Sequence, residues 1–148
     1  MSYNLRNKFY GVVVLCAAML LPVCGGAMLS IKPEMQTIEI TRGKAYKGFI
    51  LVTNTAKEKI EVKVQPEDWT DRNNRTTDGL SWLKIKPVSF SLKPGKTKKV
   101  KFSARIPVAT ASSKVTQFFF SYKSGYVKGL PTGMRIGSLV YWKHKIKI

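Results

Sequence analysis

The stretch SFSLKPGKTKKVKFSARIP, residues 89–107, carries the clearest strand pattern in this chain of 148 residues. In its second half every other residue is apolar, at Val100, Phe102, Ala104 and Ile106. This period of two is typical of a β-strand with one buried face. Pro94-Gly95 before it is typical of a type II turn, because glycine accepts the positive φ at the second central position. We therefore predict two strands joined by a lysine-rich hairpin tip.

The same period recurs on both sides of this stretch, in short segments around residues 29–31, 38–40, 46–52, 60–64, 82–85, 118–122 and 134–142. Pro33 and a shift of parity after it predict an edge strand that bends or changes sheet. We expect Pro66 to Trp69 to stop a strand, Gly125 to Gly133 not to form a long regular strand, and Gly137 to be a bulge. No segment has sustained helical periodicity. About seven short strands predict an all-β, immunoglobulin-like sandwich that forms a single domain over residues 28–148.

The N-terminus has the three parts of an export signal. A start carrying Arg6 and Lys8 precedes the apolar run Gly11–Leu21, and small residues follow up to Ala27. This order predicts a signal peptide over residues 1–27. Two alternatives stay open: an uncleaved anchor, for which the apolar run is short of the roughly 20 residues that span a bilayer, and lipidation at Cys24.

Export changes the meaning of the composition. Cys16 and Cys24 are both removed with the signal, so the mature chain would hold no disulfide. Loss of Arg6 and Lys8 lowers the formal net charge from +18 to +16. Outside the cytoplasm such a charge favours an anionic envelope component over nucleic acid. We expect no transmembrane span in the mature chain.

Groups that could perform chemistry are sparse. His144 is the only histidine, which argues against a metal cluster or a Ser-His-Asp triad, so we predict neither an enzyme nor a cofactor or metal site. Four acids could form a weak cation site but suit solvated loop charges better: Glu67, Asp68, Asp71 and Asp78. Aromatic residues could form a ligand platform but suit core packing better: Trp69, Trp82 and Phe118 to Phe120. Five lysines around the turn could bind an anion or simply be solvated: Lys93, Lys96, Lys98, Lys99 and Lys101.

The order of these features resembles the N-terminal immunoglobulin-like domain of PapD-like periplasmic pilus chaperones. The matching pieces are Ser30-Ile31-Lys32-Pro33, Lys47 to Asn54, Trp69, Trp82, Phe90 to Gly95 with Val100, Ile106-Pro107, and Arg135-Ile136 through Val140-Tyr141. The resemblance implies a periplasmic chaperone that caps exported pilin-like subunits by lending them an edge strand. It also implies two basic residues that hold the carboxylate of a subunit.

Residue by residue, the resemblance places partner binding on the last strand, at Arg135, Ile136, Leu139 and Tyr141, with Arg135 contacting the carboxylate. The chain departs from the family at Met35-Gln36, where a second basic anchor would be expected, and at Gly129 to Gly133, where the donor strand looks broken. The sequence reaches Ile148 where the second domain of the family would be expected to begin, so we expect a divergent or truncated member, or one domain of a longer parent. The tail from Trp142 to Ile148 still alternates and could extend the last strand as an exposed edge. The alternative function is a non-catalytic structural envelope protein that binds anionic polymers or lipids.

Overall fold

The computed structural model describes residues 28–41, 43–70, 80–107, 113–127 and 130–145, without the side chains of residues 124–127 and 130–132. The predicted signal peptide, most of the loop over Thr70 to Ser81, nearly all of the loop from Ala109 to Ser113 and the last three residues lie outside this part. Within the described part, no helix is long and apolar enough to cross a membrane.

Nine strands follow one another along the chain: β1 (Leu29–Lys32), β2 (Met35–Ile40), β3 (Ala45–Asn54), β4 (Ile60–Asp68), β5 (Leu83–Lys86), β6 (Ser89–Leu92), β7 (Thr97–Arg105), β8 (Lys114–Val127) and β9 (Leu130–His144). They form two sheets. Sheet A has the order β1-β3-β7-β5 and sheet B the order β2-β9-β8-β4-β6. The all-β, immunoglobulin-like sandwich is confirmed, with nine strands instead of about seven.

Alternation places the core between the sheets. Sheet A contributes Ile50, Val52, Val100 and Phe102, while sheet B contributes Phe118, Phe120, Val140 and Trp142, and all eight side chains are buried. The Trp142 ring contacts Trp82 edge to face at 5.6 Å between centroids. Core packing is therefore confirmed for Trp82, Phe118 and Phe120. It is wrong for Trp69 and Phe119, which are half-buried and contact each other, at 5.8 Å, on the outer face of sheet B.

The first strand changes sheet, as Pro33 and the parity shift predict. β1 pairs antiparallel with β3 in sheet A, whereas β2 pairs parallel with β9 in sheet B. The crossing is held by Ser138, whose buried hydroxyl donates to the Pro33 carbonyl at 2.7 Å. This switch decides which part of β9 has a neighbour.

The Pro94-Gly95 turn has the expected type II geometry but is not a hairpin tip. Gly95 has φ 71° and the Lys96 amide donates to the Lys93 carbonyl at 3.1 Å. However, β6 and β7 belong to different sheets, so the turn is an arch between them. Asn54 at the end of β3 holds the arch. Its main-chain N–H donates to the Lys96 carbonyl, and its main-chain carbonyl accepts from the Gly95 N–H. Its side-chain NH₂ donates to the carbonyl of Leu92.

Of three local expectations about proline and glycine, only the bulge at Gly137 is wrong. β4 ends at Asp68, within the stretch Pro66 to Trp69 that is expected to stop it, although Pro66 itself lies inside the strand, opposite Phe118. The amide of Val64 faces the β6 side, so Pro66 two residues later turns its missing N–H the same way, beyond the end of the β4–β6 pairing. Gly137 is in register with Phe119, and the irregularity lies instead between Lys123 and Tyr126 on β8.

As expected, Gly125 to Gly133 does not form one long strand, because β8 ends at Val127 and β9 begins at Leu130. Both strands nevertheless pair up to these ends, with Pro131 opposite Tyr126. Pro131 has the parity of Leu139, whose amide points away from β8 to the Glu34 carbonyl. Its missing N–H is therefore on the side that does not pair with β8, and β9 runs without a break from Leu130, so the break expected before Arg135 is wrong.

Candidate functional site: the edge of the last strand

Only part of β9 has a strand on both sides. β8 runs along one side of it from Leu130 to Trp142. β2 runs along the other side, but its register begins at Met35 opposite Leu139 and ends at Ile40 opposite His144. Among the described strands none pairs with this side from Leu130 to Ser138, which we call the open edge. Unpaired edge strands are the surfaces on which another strand can be added.

The direction of each peptide group follows from one hydrogen bond. The Leu139 amide donates to the Glu34 carbonyl at 2.8 Å, so the main chain of Leu139 faces the β2 side. Main-chain groups alternate between the two sides of a strand. Gly133, Arg135 and Gly137 therefore direct their N–H and C=O groups to the open edge, whereas Ile136 and Ser138 direct theirs to β8.

The four residues that the resemblance places at the site fall into two pairs. Arg135 and Ile136 lie on the open edge. Leu139 and Tyr141 lie where β2 already covers β9, opposite Met35 and Thr37. The expectation that the tail from Trp142 extends the last strand as an exposed edge is wrong as far as His144, because β2 pairs with β9 there, and Ile146 to Ile148 lie outside the described residues.

Arg135 already has a carboxylate partner. Its guanidinium forms an ion pair with Glu67, which lies two strands away on β4. The same group lies over the Phe119 ring, with its central carbon 3.5 Å from the ring centroid. Trp69 packs against the same Phe119 ring and donates its indole N–H to Glu67 at 3.2 Å. A partner carboxylate at Arg135 would compete with Glu67 or bind the guanidinium N–H groups that Glu67 leaves available, since the Arg135 side chain is partly exposed.

Two of the four acids expected to be solvated loop charges, Glu67 and Asp68, lie instead at the end of β4. The Asp68 carboxylate lies 4.0 Å from the Lys114 ammonium. Asp71 and Asp78 lie outside the described residues. Within the described part, no group of three His, Cys, Asp or Glu residues is placed to hold a metal ion.

A groove runs beside the open edge, between the edge strands of the two sheets. It has a volume of about 530 Å³, and its lining includes Leu29 and Ile31 from β1 and Ile136 and Gly137 from β9. Gly137 leaves room on the outer side of sheet B for the Gln117 side chain. The side-chain amide nitrogen of Gln117 lies 1.8 Å from the position that a Cβ at Gly137 would take. The edge therefore presents main chain, glycine and a seam of partly apolar side chains, with Met134 44% exposed beside it.

No family profile and no curated protein sequence matches the chain. Solved structures do share its fold. One match is a chaperone from the CsuC-CsuE chaperone–tip adhesion subunit pre-assembly complex of Acinetobacter baumannii. It superposes with a TM-score of 0.61 at 16% identity, over 80% of this chain and 58% of that one. The SafB chaperone, described in complex with the SafA pilin of Salmonella enterica, has a TM-score of 0.59 at 7% identity, over 78% and 54%.

The fold also occurs elsewhere. A PapD-like domain of human CEP192 has a TM-score of 0.56 at 11% identity, over 95% of this chain and 100% of that domain. The chain thus has the PapD-like immunoglobulin-like fold of pilus chaperones, and it spans just over half of the chaperone chains it matches. A shared fold does not assign a function, which has to be argued from the site.

Proposed function

We propose that this protein is a chaperone-like binding module that pairs the open edge of β9 with a strand of an exported, pilin-like subunit in the periplasm. The observation that carries the proposal is the break in pairing at Leu139, before which β9 has a described neighbour on one side only. The pilus-chaperone fold and the N-terminal export pattern support it. The proposed pairing segment is Gly133 to Ser138, shorter than the segment from Arg135 to Tyr141 that the resemblance implies.

Main-chain groups would give most of the affinity. Gly133, Arg135 and Gly137 each offer one N–H and one C=O, and a partner strand would pair with alternate residues in this way. Met134 and Ile136 alternate with them and point toward the seam between the sheets, where apolar residues of a partner can be accommodated. Contact between Arg135 and a partner carboxylate stays a prediction, and that carboxylate would share the guanidinium with Glu67 or compete with it.

Amide hydrogen exchange tests the geometry without a partner. We expect the amides of Gly133, Arg135 and Gly137 to exchange fast in the free chain, because they face the open edge. The amides of Ile136 and Ser138 should exchange slowly, because they bond to β8. Slow exchange at all five positions would contradict an open edge.

The binding test compares two substitutions at one residue. Arg135→Pro removes an N–H that faces the open edge, while the β8 ladder loses no donor. Arg135→Ala keeps the N–H and removes only the guanidinium. Tagged chains recovered from the periplasm of a pilus-producing host should lose their co-purifying subunits in the proline variant and keep most of them in the alanine variant. Equal recovery with both variants would refute edge pairing, provided that both have the same melting temperature within a few degrees of the parent chain.

A further inference from the structure

Every charged side chain on the outer face of sheet A is basic. Seven side chains at outward positions of its four strands are exposed and basic, and together they form what we call the lysine face: Lys32, Lys47, Lys84, Lys86, Lys99, Lys101 and Arg105. They surround two apolar side chains, Phe49, which is 47% exposed, and Leu51, which is half-buried.

None of the six acids among the described residues lies in the strands of sheet A: Glu34, Glu39, Glu58, Glu61, Glu67 and Asp68. The ion pairs of the described residues all lie on the β4 side of the molecule, with Glu61, Glu67 and Asp68 as the acids. From Leu80 to the end of the sequence there is no acidic residue at all. The lysine face is therefore not neutralised by the part of the chain that the structure describes.

The register brings these cations close together. One row across the sheet holds Phe49, Lys101 and Lys86, and the next holds Lys47, Ser103 and Lys84. Lys101 and Lys86 are direct cross-strand partners, so their Cα atoms are about 5 Å apart. Like charges in such a pair destabilise a sheet. Because these like charges oppose folding, their presence on one face suggests that they bind a negatively charged partner.

A shallow depression lies at the centre of the lysine face. It has a volume of about 890 Å³, and five lysines and Phe49 contribute to its lining. The Lys99 ammonium lies 4.6 Å from the centroid of the Phe49 ring. The long stems of the lysines cover apolar surface while their ammonium groups stay in water, so the depression combines an apolar floor with a positively charged rim.

We infer that the lysine face binds an extended polyanion, and that this partner is a linear polymer carrying closely spaced phosphate groups. The cations extend over four strands, which is a wider area than one small anion covers. Lysine offers a mobile point charge without the planar fork of arginine, which suits recognition of charge density more than of one shape. Acidic side chains on one face of an extended polypeptide recur only every 6–7 Å or so, so a polymer with more closely spaced phosphates offers more negative charge over the same area. This site is separate from the open edge and adds to the proposed function without depending on it.

Binding of long-chain inorganic polyphosphate, measured by titration at several salt concentrations, tests the inference. The logarithm of the binding constant should fall linearly with the logarithm of salt concentration. With about 0.7 of a counterion released per neutralised phosphate, five to seven contacts predict a slope of about −3.5 to −5. The triple substitution Lys84→Gln, Lys86→Gln, Lys101→Gln should flatten this slope by about two.

The matched control removes three exposed lysines elsewhere, with Lys57→Gln, Lys63→Gln and Lys143→Gln, which lowers the net charge by the same amount. Its slope should stay within about 0.5 of the parent value. Equal flattening by both triples would mean that net charge alone drives binding, and it would overturn the inference. Arg135→Pro should leave polyphosphate binding unchanged, so failure of edge pairing and failure of the lysine face can be told apart.

Two further probes separate the class of partner. Poly-L-glutamate that binds as tightly as polyphosphate, with the same loss in the lysine-face triple, would overturn the assignment to phosphate. The protein could instead bind phosphatidylglycerol vesicles and not polyphosphate, with weaker vesicle binding in Phe49→Ala. That result would overturn the assignment to a polymer in favour of a membrane surface.

Discussion

Replacing Gly48 by alanine should destabilise the fold through one identifiable clash. An ideal Cβ at Gly48 would lie 2.3 Å from Cζ and 2.7 Å from Cε2 of Phe102, its register partner on β7. Normal carbon contacts are about 3.5–4.0 Å, so either the ring or the strand must move by roughly 1 Å. The ring has little freedom, because it is 2% exposed and packs on Phe118 at 5.1 Å and on Trp142 at 5.9 Å.

The magnitude follows from opposing effects. Overpacking a core costs about 1–3 kcal/mol, and a rigid buried ring favours the upper end. Removing a glycine from a strand returns about 0.5–1 kcal/mol by restricting the unfolded chain. We expect Gly48→Ala to lower the free energy of unfolding by about 2 kcal/mol. With a urea slope of about 1–3 kcal/mol/M, the midpoint of urea unfolding falls by about 1 M.

A double-mutant cycle and a glycine control complete the test. Phe102→Leu removes the clashing ring atoms, so in its presence Gly48→Ala should cost at least about 1 kcal/mol less than it does alone. Gly133→Ala on β9, where nothing lies within 4 Å of the added Cβ, should change stability by less than about 0.5 kcal/mol. A cost for Gly48→Ala as small as that of Gly133→Ala, or an additive cycle, would refute the packing argument.

Three further changes have expected outcomes. Asn54→Ala should lower the free energy of unfolding, measured by urea denaturation, by about 2–4 kcal/mol. The fully buried side-chain amide of Asn54 bonds to two carbonyls and one N–H, and all three bonds are lost. Thr53→Ala, on the exposed side of the same strand, should cost under about 1 kcal/mol. Lys101→Glu should raise the melting temperature by about 1–4 °C at low salt, because repulsion from Lys86 becomes attraction, and the gain should fade in 1 M salt. Side-chain hydrogen bonding with Thr41, joined by a bond from the Thr41 main-chain amide, lowers the pKa of Tyr46, so its phenol should ionise at lower pH in the folded chain than in urea, and the absorbance titration should lose this step in Tyr46→Phe. The charged form favours folding, so this small effect is present at high pH and is lost as pH falls through the lowered pKa.

The strands of this protein are readable from the sequence because their burial pattern is local. Alternation from Val100 to Ile106 and from Phe118 to Tyr122 predicts which side chains are buried, and the structure confirms both. The change of sheet after Lys32 was also predictable, since Pro33 and the parity shift are local signals. What could be predicted was therefore the two-sheet fold and the position of most strands.

The partners of these strands depend on contacts that no local pattern shows. A Pro-Gly turn is the same in a hairpin and in an arch, and the arch here depends on Asn54, about 40 residues earlier in the chain. Glycine at position 137 predicts a bulge, but in the structure the Gln117 side chain from the neighbouring strand fills the space where a Cβ would lie. The resemblance assigns Arg135 to a partner carboxylate and gives no sign of its ion pair with Glu67, 68 residues away in the chain. Long-range contacts of this kind account for each wrong expectation at the site.

The strand switch links the two regions of interest on this molecule. The chain leaves sheet A after β1, at Pro33, and β2 joins β9 only from Leu139. β2 therefore covers the C-terminal part of β9 and leaves the open edge uncovered. The same departure limits β1 to four residues, so that Lys32 is the last residue of sheet A at this side and belongs to the lysine face. The open edge directs its main chain sideways, in the plane of sheet B, while the lysine face points outward from sheet A. A subunit strand added to β9 would therefore leave the lysine face accessible, and the two binding activities should be additive in a chain that carries both ligands.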